Sequence, residues 1–222
     1  MRTGIGVMVV ALLAFAALGQ TTEWIDDFDG SLEPGWFWVR ESPDQWSLTD
    51  RVEFFRIATE PGGLLYNSNN AQNLLLRDTP AGDYEIETLV YYEPAEDFQI
   101  AGLVIYEDDD NFVMLGRAFC EYCGGNKVYF DLELKGTPVP NKSIVTNSKD
   151  VAYLRITKQG FVYSGYYSDD GTEWTLVIGY RSRDMRPIGV GIVTTGDATP
   201  GGVPAVADFG YFRITELPAS GE

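Results

Sequence analysis

The chain has 222 residues, 45% of them hydrophobic and 14% aromatic, enough for one domain that buries roughly 70% of the surface its unfolded chain exposes, which excludes a disordered polypeptide. Sixteen Lys and Arg stand against 33 Asp and Glu, a formal charge of -17 that repels a phosphate backbone, so no nucleic acid is expected as a partner. Histidine is absent. Ser-His-Asp and Cys-His catalysis and every His-ligated zinc, haem or copper site are thereby excluded, which leaves carboxylates, Tyr, Lys and backbone for any chemistry.

Residues 1–19 carry one Arg, a 14-residue apolar run from Ile5 to Leu18 and small residues before a polar stretch. The run is short for a membrane span and has the three-part layout of a secretory signal peptide, with Ala17 and Gly19 before a cleavage that makes Gln20 the first mature residue. An uncleaved anchor is the alternative. No later segment resembles a membrane span, so residues 20–222 are expected to form a single secreted or extracytoplasmic domain, at a cell surface or in a periplasm, with no membrane contact after cleavage.

From there the periodicity is two, not 3.6: short runs of Val, Ile, Tyr, Phe and Trp are separated by Gly, Pro, Asn and Asp. Strands are expected at 36–40, 51–59, 73–77, 83–92, 99–106, 111–119, 127–134, 151–158, 161–168, 174–180, 188–194 and 205–215. The turns at 108–111, 159–160 and 169–171 join neighbours as hairpins. Residues 136–143 and 196–204 read as long loops, and no short-period repeat is present. About a dozen strands in roughly 200 residues suit an antiparallel two-sheet sandwich.

Trp36 and Trp38 alternate with Phe37, so both indoles share one face of a strand, with Arg40 just beyond. Flat apolar rings beside guanidinium groups suit carbohydrate, and Trp36, Trp38 and Arg40 are candidates for binding it; core packing is the other use of such indoles. Tyr66 and Asn69 lie in an amide-rich loop, where an aromatic ring has little structural purpose, and join the candidate set. Tyr163, Tyr167 and Trp174 could form an aromatic platform, although turn chemistry favours hairpin packing for them. Asp83, Glu85 and Glu87 alternate, so their carboxylates project from one side of a strand; they are the candidates for catalysis if two of them flank a cleft, and otherwise form a solvated acidic face. Cys120 and Cys123 are too few for a zinc site, and an oxidising compartment favours a small disulfide between them.

Six segments, at 35–41, 46–50, 73–77, 82–88, 98–117 and 211–214, resemble the concanavalin A-like domain at the C-terminus of family 43 glycoside hydrolases of the β-xylosidase type, and its stand-alone bacterial relatives. The block Phe98 to Arg117 is the most specific of them. The resemblance implies an all-β jelly-roll sandwich of the concanavalin A-like lectin and glucanase type, and a polysaccharide or oligosaccharide as partner. It does not imply catalysis, because the cleaving carboxylates of those hydrolases lie on a separate propeller. Folds of this type often join their first and last strands through calcium, for which Asp27, Asp29 and Asp208 are the candidate ligands; an acidic surface is the alternative. Gly210 stands where the relatives tend to carry Asp. The sandwich scaffold is shared with family 16 glucanases, whose acid triplet is only loosely matched by Asp83, Glu85 and Glu87. The function expected is therefore a secreted, non-catalytic module for the xylan, arabinan or β-glucan class. A glycosidase on the same scaffold and an extracellular structural protein that self-associates through exposed strand edges are the alternatives.

Overall fold

The structure, a computed structural model, describes residues 21–65, 68–122, 124–139, 143–146, 149–196 and 204–219. These contain sixteen strands: β1 (Glu23–Asp26), β2 (Trp36–Val39), β3 (Trp46–Ser47), β4 (Phe55–Ala58), β5 (Leu74–Asp78), β6 (Asp83–Tyr92), β7 (Ile100–Asp108), β8 (Asn111–Cys120), β9 (Gly125–Leu134), β10 (Thr137–Pro138), β11 (Ser143–Thr146), β12 (Val151–Gln159), β13 (Val162–Ser168), β14 (Thr175–Arg181), β15 (Gly189–Thr195) and β16 (Val206–Leu217). All twelve expected strands are present. The short strands β1, β3, β10 and β11 carry too few residues to show a period of their own, and each exists by pairing with a neighbour. The stretch expected as a loop at 136–143 is thus partly edge structure, because β10 and β11 line one side of β9. The expected strand at 51–59 begins only at Phe55; a turn with Glu53 at φ 63° precedes it.

The strands form two antiparallel sheets. The first runs β14-β13-β12-β6-β16-β4-β3, with β1 alongside β16; the second runs β10-β9-β8-β7-β15-β5-β2, with β11 alongside β9. β16 organises the first sheet, pairing with β6 on one side and with β4 and β1 on the other. Its core residues change phase midway. Ala207 and Phe209 face inward at odd positions, Phe212 and Ile214 at even ones, and a bulge between Phe209 and Tyr211 absorbs the extra residue, Gly210. Strict alternation without that bulge would turn one half of the strand's apolar side chains out to water.

The main core lies between the sheets. A second apolar cluster covers the opposite face of the second sheet, where Leu74, Leu76, Val104, Phe112, Met114 and Val193 lie beneath Leu64, Leu65 and Ala71. That double burial explains the unbroken Leu74-Leu75-Leu76 run: Leu75 enters the main core and its neighbours the second one. The segment 60–73 is fastened over this face by polar contacts. Arg40 clamps Asp109 with two hydrogen bonds of 2.8 Å and donates Nε to the Ala71 carbonyl, while Asn69 Nδ2 reaches Asp110 Oδ1 at 2.7 Å.

Four of the five tryptophans close one open side of the sandwich. Trp24 meets Trp36 edge-on at 5.7 Å, and Trp38 stacks on Trp46 at 5.1 Å, with Phe55 and Phe212 behind them. On the other side Phe130 of β9 stacks on Tyr180 of β14 at 5.6 Å. This is sterically feasible because residue 165 is Gly: a Cβ there would stand 2.7 Å from the Phe130 ring. Gly165→Ala is therefore expected to destabilise the fold by about 1–3 kcal/mol through overpacking, measured as a lower urea midpoint; an unchanged midpoint would show that the ring can move aside.

Candidate functional site

With one face of the second sheet covered, the outer face of the first is left open, and cross-strand register builds it row by row. In one row Arg155 of β12, Glu87 of β6 and Arg213 of β16 stand side by side. Glu87 accepts from Arg155 at 2.9 and 2.5 Å and from the Tyr211 hydroxyl at 2.6 Å, with Arg213 at 3.7 Å. Arg155 also reaches Glu85 at 3.1 Å and lies flat on Trp174, 3.7 Å from the ring centroid. Asp83 accepts from the Gly160 amide at 2.6 Å and sits 3.7 Å from Lys158. The acid triplet therefore does share one face, as its spacing requires, but it is not a solvated row: Asp83 and Glu87 are buried, and both are held by cations or amides.

Four rungs away, Tyr91 of β6, Asp208 of β16 and Arg56 of β4 form the next polar row. Asp208 is gripped by Arg56 at 2.6 and 2.9 Å and by Arg51 at 2.8 Å. Arg51 lies over Phe54 at 3.7 Å and over Tyr91 at 4.6 Å, and the two rings meet edge-to-face at 5.5 Å. Beside this cluster opens a hollow of about 350 Å³ lined by Arg51, Arg56, Tyr91, Glu93, Asp150 and Asp208. Tyr91 remains 36% exposed there. An aromatic ring with guanidinium and carboxylate groups around it is the chemistry that hydroxyl-rich, flat-faced ligands need.

Of the residues singled out in the sequence, Asp83, Glu85, Glu87 and Asp208 lie on this face, and the carbohydrate-binding candidates that the structure describes are placed elsewhere. Trp36 and Trp38 pack at the tryptophan-lined side of the sandwich, with Trp36 Nε1 bonded to Asp26 at 2.7 Å. Arg40 and Asn69 come together, but as fasteners of segment 60–73 to the β7–β8 turn. Tyr66 lies outside the described residues, as does Cys123, so the Cys120–Cys123 bridge stays an expectation. In the Asp108–Asn111 turn Asp108 is used locally, accepting from the Asp110 amide and the Asn111 side chain, whereas Asp109 and Asp110 are taken by Arg40 and Asn69.

The calcium ligand set does not assemble. Asp27 and Asp29 are exposed, whereas both oxygens of Asp208 are engaged by arginines. Among the described residues no group of three or more Cys, Asp or Glu is placed to hold a metal ion. The tie between first and last strands comes instead from β1 pairing with β16, while Asp26 at the end of β1 accepts from the Phe28 and Glu33 amides and from Trp36 of β2. Of the residues at the hollow, the sequence reading names only Asp208, as a metal ligand; Arg51, Phe54 and Arg56 read as one strand. The Tyr91-Tyr92 pair at the end of β6 was the available signal.

Two antiparallel sheets, face to face, with one outer face free and carrying the polar and aromatic rows, define a concanavalin A-like jelly roll. Residues 25–215 match the family described as the Beta xylosidase C-terminal Concanavalin A-like domain, and the chain belongs to that family. Among solved structures it is similar to a point mutant of the GH43 protein BlXynB from Bacillus licheniformis, with 24% identity and a TM-score of 0.76 over 87% of this chain and 39% of that one. It is also similar to a xylan beta-1,4-xylosidase from Bacillus halodurans C-125, with 25% identity and a TM-score of 0.72 over 86% and 39%. A beta-glucanase from Bacillus licheniformis shares the fold at 14% identity and a TM-score of 0.60, over 88% and 98%. The chain thus spans 39% of the length of the first two. No curated protein matches it.

Two carboxylates of the open face are shifted in opposite directions from their ordinary values. Burial raises the Glu85 carboxyl, Arg155 opposes this, and the neighbouring Glu87 charge adds to it. A raised folded-state value contributes stability below the ordinary carboxyl range, which is lost as pH rises through it. Glu85→Gln is therefore expected to hold or raise the melting temperature at pH 7. Burial also works to raise Asp208, but the hydrogen bonds from Arg56 and Arg51 outweigh it and leave the carboxyl below its ordinary value of 3.8. Its contribution is present above that value and is lost as pH falls. Asp208→Asn should cost about 1–3 kcal/mol at pH 7, with the gap from wild type closing on acidification; thermal melts from pH 7 to pH 3 check both signs.

Proposed function

We propose that this chain is a secreted, non-catalytic carbohydrate-binding module for neutral polysaccharides of the xylan, arabinan or β-glucan class. The observation that carries the reading is the hollow beside Tyr91, where an aromatic ring, the Arg51 and Arg56 guanidinium groups held on Asp208, and the carboxylates of Glu93 and Asp150 line the open face of a concanavalin A-like sandwich. Membership in a family of β-xylosidase C-terminal domains supports the carbohydrate setting. The engagement of Asp83, Glu85 and Glu87 with Lys158, Arg155, Arg213 and the Gly160 amide supports a non-catalytic role, since a hydrolytic pair needs one carboxyl free to donate a proton and another free to attack or to activate water.

Residues 1–19 serve in this reading as the secretory signal, so N-terminal sequencing of exported protein is expected to begin at Gln20. Residues 20–222 are expected to be retained on insoluble xylan or β-glucan without release of reducing sugar, and Tyr91→Ala to weaken retention about tenfold. Retention unchanged in Tyr91→Ala would move the site away from the hollow, and reducing sugar released by the wild type would replace binding with hydrolysis.

A further inference from the structure

The hollow is continuous with a loop that departs from it. Glu93, part of its lining, begins the 93–99 connection between β6 and β7, and that loop is braced at several points. Gln99 is buried and its Oε1 accepts from the Ala95 and Glu96 amides at 2.8 and 3.1 Å. The Phe98 carbonyl is held by Thr195 Oγ1 at 2.8 Å. Asp97 Oδ1 accepts from the Glu121 amide at 2.7 Å, which ties the loop to the turn between β8 and β9.

Two aromatic side chains project from these joined segments. Phe98 is 50% exposed and Tyr122 98% exposed. Phe98 also has φ 67°, in the left-handed region that is unfavourable for a bulky residue. A braced loop thus holds a half-exposed ring in water at a cost in both backbone strain and apolar hydration. Strain of this kind, retained by surrounding bonds, is characteristic of a residue presented for contact.

The chemistry of the contact follows from its neighbours. Every ionisable side chain of residues 93–99 is acidic (Glu93, Glu96, Asp97), and Glu121 beside Tyr122 is acidic as well. Such a surface disfavours anionic partners, including anionic lipid headgroups and uronic acid chains, so that among carbohydrates it leaves uncharged chains, whose flat C–H faces the aromatic rings can meet. We propose that Phe98 and Tyr122 form an aromatic extension of the hollow, so that the binding site is a track for several consecutive residues of a neutral polysaccharide chain. This inference rests on the carbohydrate-binding reading and extends it from a single hollow to an elongated site.

The test uses insoluble xylan and insoluble β-glucan, with polygalacturonate as the acidic comparison, and the variants Phe98→Gly, Phe98→Asn, Tyr122→Ser and Tyr91→Ala. Phe98→Gly and Phe98→Asn remove the ring and relieve the strain, because both residues tolerate positive φ. They are expected to keep or raise the denaturation midpoint while weakening retention on a neutral polysaccharide about tenfold. Tyr122→Ser should weaken retention similarly with no change in midpoint. Polygalacturonate should not retain the wild type at low salt. If Tyr91→Ala weakens retention but the three loop variants do not, the track is overturned and the hollow alone is the site. Wild type retained on neither neutral polysaccharide overturns the track together with the carbohydrate reading. A lower midpoint in both Phe98 variants makes that ring a packing element and also overturns the track.

Discussion

The phase break in β16 is the constraint from which the rest of the first sheet follows. A strand keeps its apolar residues on one side only if they fall at every second position, and the run Ala207, Phe209, Phe212, Ile214 violates that rule once. The bulge at Gly210 repairs it, so that both halves of the strand face the core. Because β16 pairs with β6, β4 and β1, the repair also sets what stands opposite what on the outer face. Asp208 comes to lie between Tyr91 and Arg56, and Arg213 beside Glu87. The extra residue thus governs both the packing and the polar rows, which is how a local backbone irregularity reaches the candidate site.

The two sheets then divide the work. The second sheet carries buried apolar side chains on both faces, with Arg117 of β8 and Lys127, Asp131 and Glu133 of β9 as buried charges among them, and has a segment fastened over its outer side by Arg40, Asn69, Asp109 and Asp110. Buried on both sides, its strands read as near-continuous apolar runs. The first sheet is apolar inside and carries charges outside, as an antiparallel sheet with one wet face does. Its charges are spent largely on one another: Glu87 faces Arg155, Arg213 and Tyr211, and Asp208 faces Arg51 and Arg56. A protein with a net charge of -17 gains from placing its arginines between acids, where they relieve repulsion across neighbouring strands.

That arrangement separates what is legible in the sequence from what is not. Every strand of substantial length could be read from alternation, and so could the hairpins at 108–111, 159–160 and 169–171, where Asp and Gly supply local turn chemistry. In the last of these Asp170 accepts from the Thr172 and Glu173 amides, a pattern confined to four residues and therefore visible in the chain itself. The sandwich class and the shared face of Asp83, Glu85 and Glu87 were legible for the same reason. The strands β1, β3, β10 and β11 were not: β3 and β10 have two residues each, and the four-residue β1 and β11 are defined by pairing with the distant β16 and with β9.

The candidate site shows the opposite balance. Trp36 and Trp38 look alike whether they bind sugar or close a sandwich, and only their contacts with Asp26, Phe55, Trp46 and Phe212 distinguish the two uses. Arg51 and Asp208 are 157 residues apart in sequence and 2.8 Å apart in space, a pairing no local pattern encodes. The sequence by itself determined the alternating strands, the turns, the acidic charge and the absence of histidine chemistry, since each depends on composition or on neighbours along the chain. Tertiary structure alone decided which face stays open and which acids are already paired, because burial and pairing depend on strands that meet across the sheet.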